Sequence, residues 1–340
     1  MALKPYIAEV INGRSLNFDQ AKSAMTIIMT GAATQAQIGG YLTALRMKGE
    51  TVEEVGGSAA AMRELYIPVK PDDRGDIVMD VVGTGGDGRH TFNISTTSAF
   101  VVAGVDGYRI AKHGNRGASS KSGSADVLIA LGANLDIAPE HVGECINTVD
   151  IGFMFAVKHH PAMRHAIGPR RELNQRTVFN ILGPLTNPAD AKHYMIGTFA
   201  PYLCEQMAGS LRDLGAESAF VVHGADGLDE LSITGVNKLT HLHNGTLETL
   251  ELDPAEIGIP HGSLDDLIGG EPAENAQITR DILGGKLTGP KLDIVLLNSA
   301  VALSTQTRDF KSGLAKARES IESGKALATL DAWIAKTNSF

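Results

Sequence analysis

The segment DVVGTGGDG at residues 80–88 decides the fold, because an apolar strand signal over 77–82 runs directly into a cluster of glycines. Glycine has no Cβ, so backbone N–H groups in such a cluster stay open to a ligand. The segment NISTTSAF at 93–100 follows with hydroxyl and amide side chains, and it opens an apolar helical run over 98–105. This order of strand, glycine loop and helix start is typical of a phosphate site in an α/β fold.

A second loop adds positive charge close to the first. KHGNR at 112–116 places a lysine, a histidine and an arginine within five residues, and SS at 119–120 and SGSAD at 122–126 follow. That charge is enough for more than one phosphate. Because these elements follow one another at short range, two ordinary glycine-rich turns are the weaker interpretation.

The spacing does not match the two familiar nucleotide loops. Residues 83–88 formally fit GxGxxG, but a polar run over 89–93 follows where an apolar helix should begin. No acidic residue closes a second strand about 20 residues later. No GKS or GKT completes a P-loop. The sequence therefore favours a sugar phosphate over NAD or ATP.

Composition narrows the class of protein. A chain of 340 residues with 43% hydrophobic residues predicts a globular protein of two structural units. The net charge of −9 argues against nucleic acid as a partner, and no apolar run reaches ~18 residues, so we expect no membrane insertion. Cys145 and Cys204 lie far apart without a CxxC context, which predicts reduced thiols in a cytoplasmic protein.

The first 66 residues have a helical pattern throughout. Capping-box spacings precede three apolar-periodic runs (Asn17 with Gln20, Thr34 with Gln37, Thr51 with Glu54). We expect a helical domain over 1–70, joined by part of the basic segment 161–190, and an α/β domain over 71–340. Short apolar strands alternating with helices predict a mostly parallel sheet in the second domain. The predicted strands are 77–82, 108–111, 151–156, 193–197, 218–223, 232–234 and 238–243.

Four arginines lie within thirteen residues, from Arg164 to Arg176, inside an otherwise acidic protein. A guanidinium binds a carboxylate through two parallel hydrogen bonds, so this cluster predicts an anion site. The alternative is a solvated helix face that pairs with Glu172. The adjacent His159 and His160 do not form a metal pair, because neighbouring side chains point to different faces.

Three carboxylates follow the apolar strand 220–222, namely Asp226, Asp229 and Glu230. Ligands of α/β sheets bind at the carboxyl ends of strands. Oxygen donors without thiolates suit Mg²⁺, which bridges carboxylate and substrate phosphate. An acidic turn without a metal is the alternative that remains open for these residues taken alone.

These motifs together resemble anthranilate phosphoribosyltransferases. The strings that carry the resemblance are GTGGDG, NISTTSAF, KHGNR, SGSAD, HPAM, RTVFNILGPLTNP and DGLDELS, in this order over nearly the whole chain. The resemblance implies a small helical domain joined to a larger α/β domain. It also implies a homodimer formed through the helical domain, two Mg²⁺ ions per subunit and a role in tryptophan biosynthesis.

The resemblance further implies the roles of individual residues. Those expected to bind 5-phosphoribosyl 1-diphosphate are Gly83, Gly86, Asp87, Thr91, Asn93, Ile94, Ser95, Thr96, Lys112, His113, Gly114, Asn115, Arg116, Gly117, Ala118, Ser119, Ser120 and Ser124. Gly83, Asn115 and Arg170 are expected to contact anthranilate. Ser95 would ligate one Mg²⁺, and Asp229 with Glu230 a second. No dedicated catalytic base is expected, with electrostatic support from Lys112 and Asn115.

Two other classes share parts of this pattern. A pyrimidine nucleoside phosphorylase would have the same helical and α/β plan, but the carboxylate pair at 229–230 and a Mg²⁺ requirement count against it. A nucleic-acid-binding protein of this fold would be expected to carry a basic face, and the net charge of −9 argues against that.

Overall fold

The computed structural model of the chain describes residues 3–117 and 121–340. The α-helices are Lys4–Ile11 (α1), Phe18–Met29 (α2), Gln35–Lys48 (α3), Val52–Arg63 (α4), Ile94–Ala103 (α5), Ser124–Ala130 (α6), Pro139–Val149 (α7), Ala156–His159 (α8), Arg164–Leu173 (α9), Phe179–Leu182 (α10), Leu203–Asp213 (α11), Pro272–Leu283 (α12), Pro290–Ala302 (α13), Phe310–Glu322 (α14) and Lys325–Thr337 (α15). The strands are Ile77–Gly83 (β1), Tyr108–Gly114 (β2), Ile151–Phe155 (β3), His193–Gly197 (β4), Ser218–His223 (β5), Asn237–His243 (β6) and Thr246–Leu252 (β7).

The amino-terminal helices begin where the capping boxes predict. Side chains of Asn17, Thr34 and Thr51 each accept the N–H three residues on, and the reciprocal bonds are formed as well. The structure adds α1, which has a proline in its first turn and packs on α3. Helix α5 begins at Ile94, before the apolar run expected from 98, because the hydroxyl-rich residues form its first turn.

The central sheet has the order β3-β2-β1-β4-β5-β6-β7. The first five strands in this order are parallel, and β6 and β7 are antiparallel additions at one edge. The prediction of a mostly parallel sheet is therefore confirmed. No helix within the described ranges is long and apolar enough to cross a bilayer.

One predicted strand is wrong. Residues 232–234 are an irregular, bent segment, because the side chain of Asn237 bonds the backbone groups that a ladder would use. Its Oδ1 accepts the N–H of Ser232 at 2.7 Å, and its Nδ2 donates to the carbonyl oxygens of Ser232 and Gly235 at 2.9 and 3.0 Å. The edge strand β7, which we did not predict, pairs with β6 instead.

The sheet separates two apolar cores. On one face, Met79 and Val81 of β1 pack with residues of α5, α13, α14 and α15. On the other face, Tyr194 and Ile196 of β4 join a core that includes α11 and the amino-terminal helices. Helix α9 packs against α3 and α2, which brings the basic segment beside those helices.

A candidate site at the carboxyl ends of the central strands

The predicted phosphate loop lies where the strand order reverses. Strand β1 has β2 on one side and β4 on the other, and its pairing with β4 continues to Gly83 and Gly197. A Cβ atom on Gly83 would lie 2.2 Å from Oδ2 of Asp229, and one on Gly197 would lie 1.7 Å from the Asp229 carbonyl oxygen. Both positions need glycine because Asp229 lies directly over these strand ends, at the usual ligand position of an α/β sheet.

The glycine loop bends toward the acidic residues. Gly85 and Gly86 have φ angles of +72° and +82°, which favour glycine. The Gly85 N–H donates to Oδ2 of Asp229 at 2.5 Å. Asp87 is half-buried in the same loop, and its carboxylate accepts the Arg89 N–H at 3.1 Å. Asp87 is close enough to Asp229 that its charge helps to raise the pKa of the Asp229 carboxyl.

The first turn of α5 faces the same point. The Ser95 N–H donates to Oε1 of Glu230 at 3.3 Å. Ile94 and Thr96 on either side are each 1% exposed, so both residues belong to the core in this structure. A helix start with open N–H groups attracts anions, which here are protein carboxylates.

The carboxylates of Asp229 and Glu230 are nearly buried. Burial raises the pKa of Asp229 well above its usual range, and repulsion from Glu230 raises it further. Burial also raises the pKa of Glu230, although the charge of Lys112 opposes that rise. The site therefore holds more negative charge than its own backbone N–H donors can neutralise.

That excess charge fits Mg²⁺. The Asp229 and Glu230 oxygens are hard donors, and both residues are bonded to backbone N–H groups that orient them. Among the described residues no three His, Cys, Asp or Glu side chains form a closed metal cage. An open pair suits Mg²⁺, which keeps several waters and shares its coordination with substrate phosphates.

Lys112 lies beneath the glycine loop. It is 2% exposed, and its Nζ donates to the Val81 carbonyl oxygen at 2.5 Å. Burial lowers the pKa of Lys112, and the nearby charges of Asp80, Glu230 and Asp229 counteract that effect. The lysine therefore supplies a positive charge close to the acidic pair.

The second loop is folded around Asp126 rather than open. Its carboxylate accepts the N–H groups of Gly117 and Gly123 at 2.9 and 3.0 Å, and Arg116 pairs with it at 3.0 Å. Arg116, predicted to bind phosphate, thus has an acidic partner in this structure. The predicted residues Ala118, Ser119 and Ser120 lie outside the described ranges.

Asn115 and Ser124 close the base of this loop. The Ser124 hydroxyl donates to the Asn115 carbonyl oxygen at 3.1 Å, while Oδ1 of Asn115 accepts the Arg116 N–H at 2.8 Å. A Cβ on Gly114 would lie 2.3 Å from Oγ of Ser124, so the serine packs directly under the strand end. Asn115 itself is exposed.

The predicted arginine cluster is divided between two places. Arg170 on α9 is half-buried, with its guanidinium carbon 5.1 Å from the ring centre of Phe179, and burial lowers its pKa. It forms no ion pair with any residue in the described parts of the chain. Arg176 instead donates to the Gly86 carbonyl oxygen and lies 4.2 Å from the ring centre of Phe199. Arg170 is therefore a half-buried arginine of this cluster that can still pair with a carboxylate.

A pair of buried histidines was not predicted as a unit. The rings of His113 and His160 lie 4.9 Å apart, and Nδ1 of His113 bonds to the Gly183 carbonyl oxygen at 3.0 Å. Burial lowers the pKa of both, to about 4 for His160, so both are neutral near pH 7. Nε2 of each has no hydrogen-bond partner among the described residues. Only the tertiary fold brings these separated residues together.

Asn275 on α12 was also missed. Its Nδ2 donates to Oδ1 of Asn93 at 3.1 Å, and its Oδ1 accepts the Gly270 N–H at 2.8 Å. Asn93 in turn donates to the carbonyl oxygen of Ser122 at 3.1 Å and accepts its hydroxyl at 3.1 Å, so it links the two loops. Thr91 forms a β-bridge with Ile268 in the same region. No local pattern signals a contact across 182 residues.

Comparison with known families covers both parts of the chain. Residues 4–65 match the helical bundle domain of the glycosyl transferase family, and residues 75–327 match its a/b domain. The anthranilate phosphoribosyltransferase of Acetivibrio thermocellus is 50% identical over 340 residues, which are 99% of this chain and 97% of that protein. The Brucella suis protein of the same name is 49% identical over 339 residues, with 99% and 98% covered.

Solved structures of the same name share the fold. The crystal structure from Thermus thermophilus has a TM-score of 0.92 at 42% identity and covers 99% of this chain and 100% of that one. The Saccharomyces cerevisiae protein in complex with PRPP and Mg has a TM-score of 0.91 at 29% identity, with 99% and 98% covered. The same yeast protein in complex with 4-fluoroanthranilate has a TM-score of 0.89 at 28% identity, with the same coverage.

Proposed function

Because the chain belongs to the anthranilate phosphoribosyltransferase family, we propose that it transfers the phosphoribosyl group of 5-phosphoribosyl 1-diphosphate to anthranilate. The products are N-(5-phosphoribosyl)anthranilate and diphosphate, in a step of tryptophan biosynthesis. The observation that carries this proposal is the buried pair Asp229 and Glu230, bonded to backbone N–H groups of the glycine loop and of α5. Such a site balances its charge only when it meets a cation that a phosphorylated ligand can share.

The phosphoribosyl diphosphate would lie between the two loops. We assign to it the backbone and side chains of Gly83, Gly86, Asp87, Thr91, Asn93 to Thr96, Lys112 to Ser120, and Ser124. Support comes from the exposed residues Gly85 and Gly88 of the glycine loop, the helix start at α5 and the buried charge of Lys112. Arg116 would have to exchange its partner Asp126 for a phosphate.

We assign two Mg²⁺ ions to the site, one at Ser95 and one at Asp229 with Glu230. Bound there, Mg²⁺ supplies positive charge that neutralises the diphosphate as it leaves. The protein's own part is to hold these oxygens close together, with the Ser95 N–H orienting Glu230. The raised pKa values of Asp229 and Glu230 imply that metal binding releases protons and strengthens as the pH rises toward 8.

Anthranilate would contact Gly83, Asn115 and Arg170. The half-buried guanidinium of Arg170, stacked on Phe179, is a fixed partner for the benzoate carboxylate. Its contact residue Phe179 lies on α10, which leads into Gly183, the partner of His113 at the end of β2. This chain of contacts joins the arginine to β2, which ends at Gly114 directly before Asn115.

The reaction breaks the bond from ribose C1 to the diphosphate oxygen and forms one from C1 to the anthranilate nitrogen. The amine is neutral, so it needs positioning before it attacks and loses its proton afterwards. No group that could serve as a strong base is required, and we assign none. Lys112 and Asn115 would stabilise charge at the leaving and attacking sides.

We also propose that residues 1–70, with part of 161–190, form a helical domain that makes a homodimer, and that 71–340 form the ligand domain. Four large apolar side chains in these segments are exposed, namely Ile11 at 66%, Met47 at 83%, Ile67 at 40% and Ile167 at 39%. Exposed apolar surface of this kind suits a partner subunit. A cytoplasmic location agrees with the two cysteines, which are free and buried.

The decisive test is product formation from anthranilate and phosphoribosyl diphosphate with Mg²⁺, followed by loss of anthranilate fluorescence. Chelation of Mg²⁺ should stop the reaction, and Asp229→Ala with Glu230→Ala should cripple it. Phosphorolysis of a pyrimidine nucleoside without this transfer would instead assign the protein to the phosphorylases. A shift of DNA mobility at low salt would favour the nucleic-acid-binding alternative.

A further inference from the structure

Strands β1 and β2 part before they reach the site. Their pairing ends at Met79 with Ile110, although both strands continue for four more residues. On the outer sides pairing continues to the end, from Gly83 to Gly197 of β4 and from Gly114 to Phe155 of β3. The sheet is therefore split between β1 and β2 along its carboxyl half.

Side chains occupy the split and form hydrogen bonds with the backbone N–H and carbonyl groups of β1 and β2 that face it. The His113 N–H of β2 donates to Oδ1 of Asp80 at 3.2 Å. Nδ2 of Asn187 donates both to Oδ2 of Asp80 at 2.7 Å and to the Ala111 carbonyl oxygen at 2.8 Å. On β1, the Val81 carbonyl oxygen accepts Nζ of Lys112, as described above. No ladder bond of this half remains to set the strand separation, so these side chains set it.

The orientation of Asn187 is determined by all its bonds. Its Oδ1 accepts the Ala189 N–H at 2.9 Å, which leaves both hydrogens of Nδ2 for Asp80 and Ala111. Asp80 and Asn187 are each 0% exposed, so water cannot replace a lost bond. An amide at position 80 would turn its NH₂ group toward either Asn187 or the His113 N–H, and two donors would then face each other.

Each strand that borders the split leads into one substrate loop. Strand β1 ends at Gly83, where the glycine loop begins, and β2 ends at Gly114, where the second loop begins. We propose that Asp80 and Asn187 are positioning residues that hold the two strand ends apart and so set the width of the phosphoribosyl diphosphate site. This inference rests on the proposed function, since it assigns the two loops to one ligand.

The test compares Asp80→Asn, Asn187→Ala and the double variant with a matched control, Ser218→Ala. Ser218 is equally buried, at 1% exposed, and bonds to His193 at 2.8 Å at the opposite end of the sheet. Asp80→Asn and Asn187→Ala are each expected to lower kcat/KM for phosphoribosyl diphosphate by roughly ten- to hundredfold. Effects of this size follow when reacting groups are slightly misplaced. The control is expected to lose thermal stability without a change in kcat/KM for phosphoribosyl diphosphate.

The double variant tests whether Asp80 and Asn187 act together as one unit or contribute independently. Its kcat/KM is expected to be no lower than that of the less active single variant, because either change already breaks the bond between Asp80 and Asn187. Full additivity of the two losses in kcat/KM would overturn the inference. So would a wild-type kcat/KM in Asp80→Asn together with a lowered melting temperature. If Asp80→Asn does not fold, Asn187→Ala carries the same comparison, since it leaves both strands unchanged. Absence of turnover by the wild-type chain would instead overturn the proposed function.

Discussion

Glu230→Gln is expected to make the metal-free protein more stable and less active. Burial raises the pKa of Glu230 to about 7, so its charged form is disfavoured in the folded state. Glutamine is neutral and keeps the oxygen that accepts the Ser95 N–H. The variant thus removes a buried and disfavoured charge from the folded protein, together with one ligand oxygen of the Mg²⁺ site.

The size and sign of this stability difference follow from the same pKa. In the unfolded chain the carboxyl ionises near 4.5, and in the folded chain near 7. Wild-type stability therefore falls as the pH rises through this interval, by roughly 3 kcal/mol in total at pH 8. The loss is below about 1 kcal/mol at pH 5, because that pH lies only slightly above the unfolded-state pKa and most of the interval up to the folded-state pKa has not yet been crossed. Glutamine is unaffected by pH over this range.

Thermal melts in chelator at pH 8 and pH 5 measure the effect. The variant should melt a few degrees above wild type at pH 8 and near it at pH 5, whereas the exposed control Glu322→Gln should match wild type at both. Turnover at limiting Mg²⁺ should fall by roughly a hundredfold or more, since even groups that only support a metal ligand contribute 10- to 100-fold. A variant that melts below wild type at pH 8, or keeps full turnover, would falsify this account of the site.

Three further outcomes are expected. Arg170→Ala should raise the KM for anthranilate roughly ten- to over a hundredfold, because a lost charge-assisted hydrogen bond costs about 1.5–3 kcal/mol. The exposed control Arg171→Ala should leave this KM unchanged. A rise only in the KM for phosphoribosyl diphosphate would place Arg170 at the phosphates. The wild-type chain should sediment as a dimer at micromolar concentration and Met47→Glu as a monomer, and a monomeric wild type would contradict the helical interface. Hydrogen exchange at 83–88 and 112–117 should slow when phosphoribosyl diphosphate is added, and unchanged protection would show that the loops are ordered without it.

Local sequence was enough for features that neighbouring residues build by themselves. The capping boxes at Asn17, Thr34 and Thr51 formed as predicted, because a helix start depends on residues three positions apart. The glycine loop after β1 was predictable for a similar reason, since positive φ angles at Gly85 and Gly86 require glycine. The order of strands and helices in turn predicted the parallel sheet.

Features that join distant parts of the chain were decided by the tertiary structure. Asn275 reaches Asn93 across 182 residues, and Asn187 enters the split between β1 and β2 beside Asp80. The failed strand at 232–234 belongs here too, because the side chain of Asn237 took up its backbone groups. A residue pattern reports how a segment can bury its apolar face, whereas the partner of each buried polar group is chosen only when the chain packs.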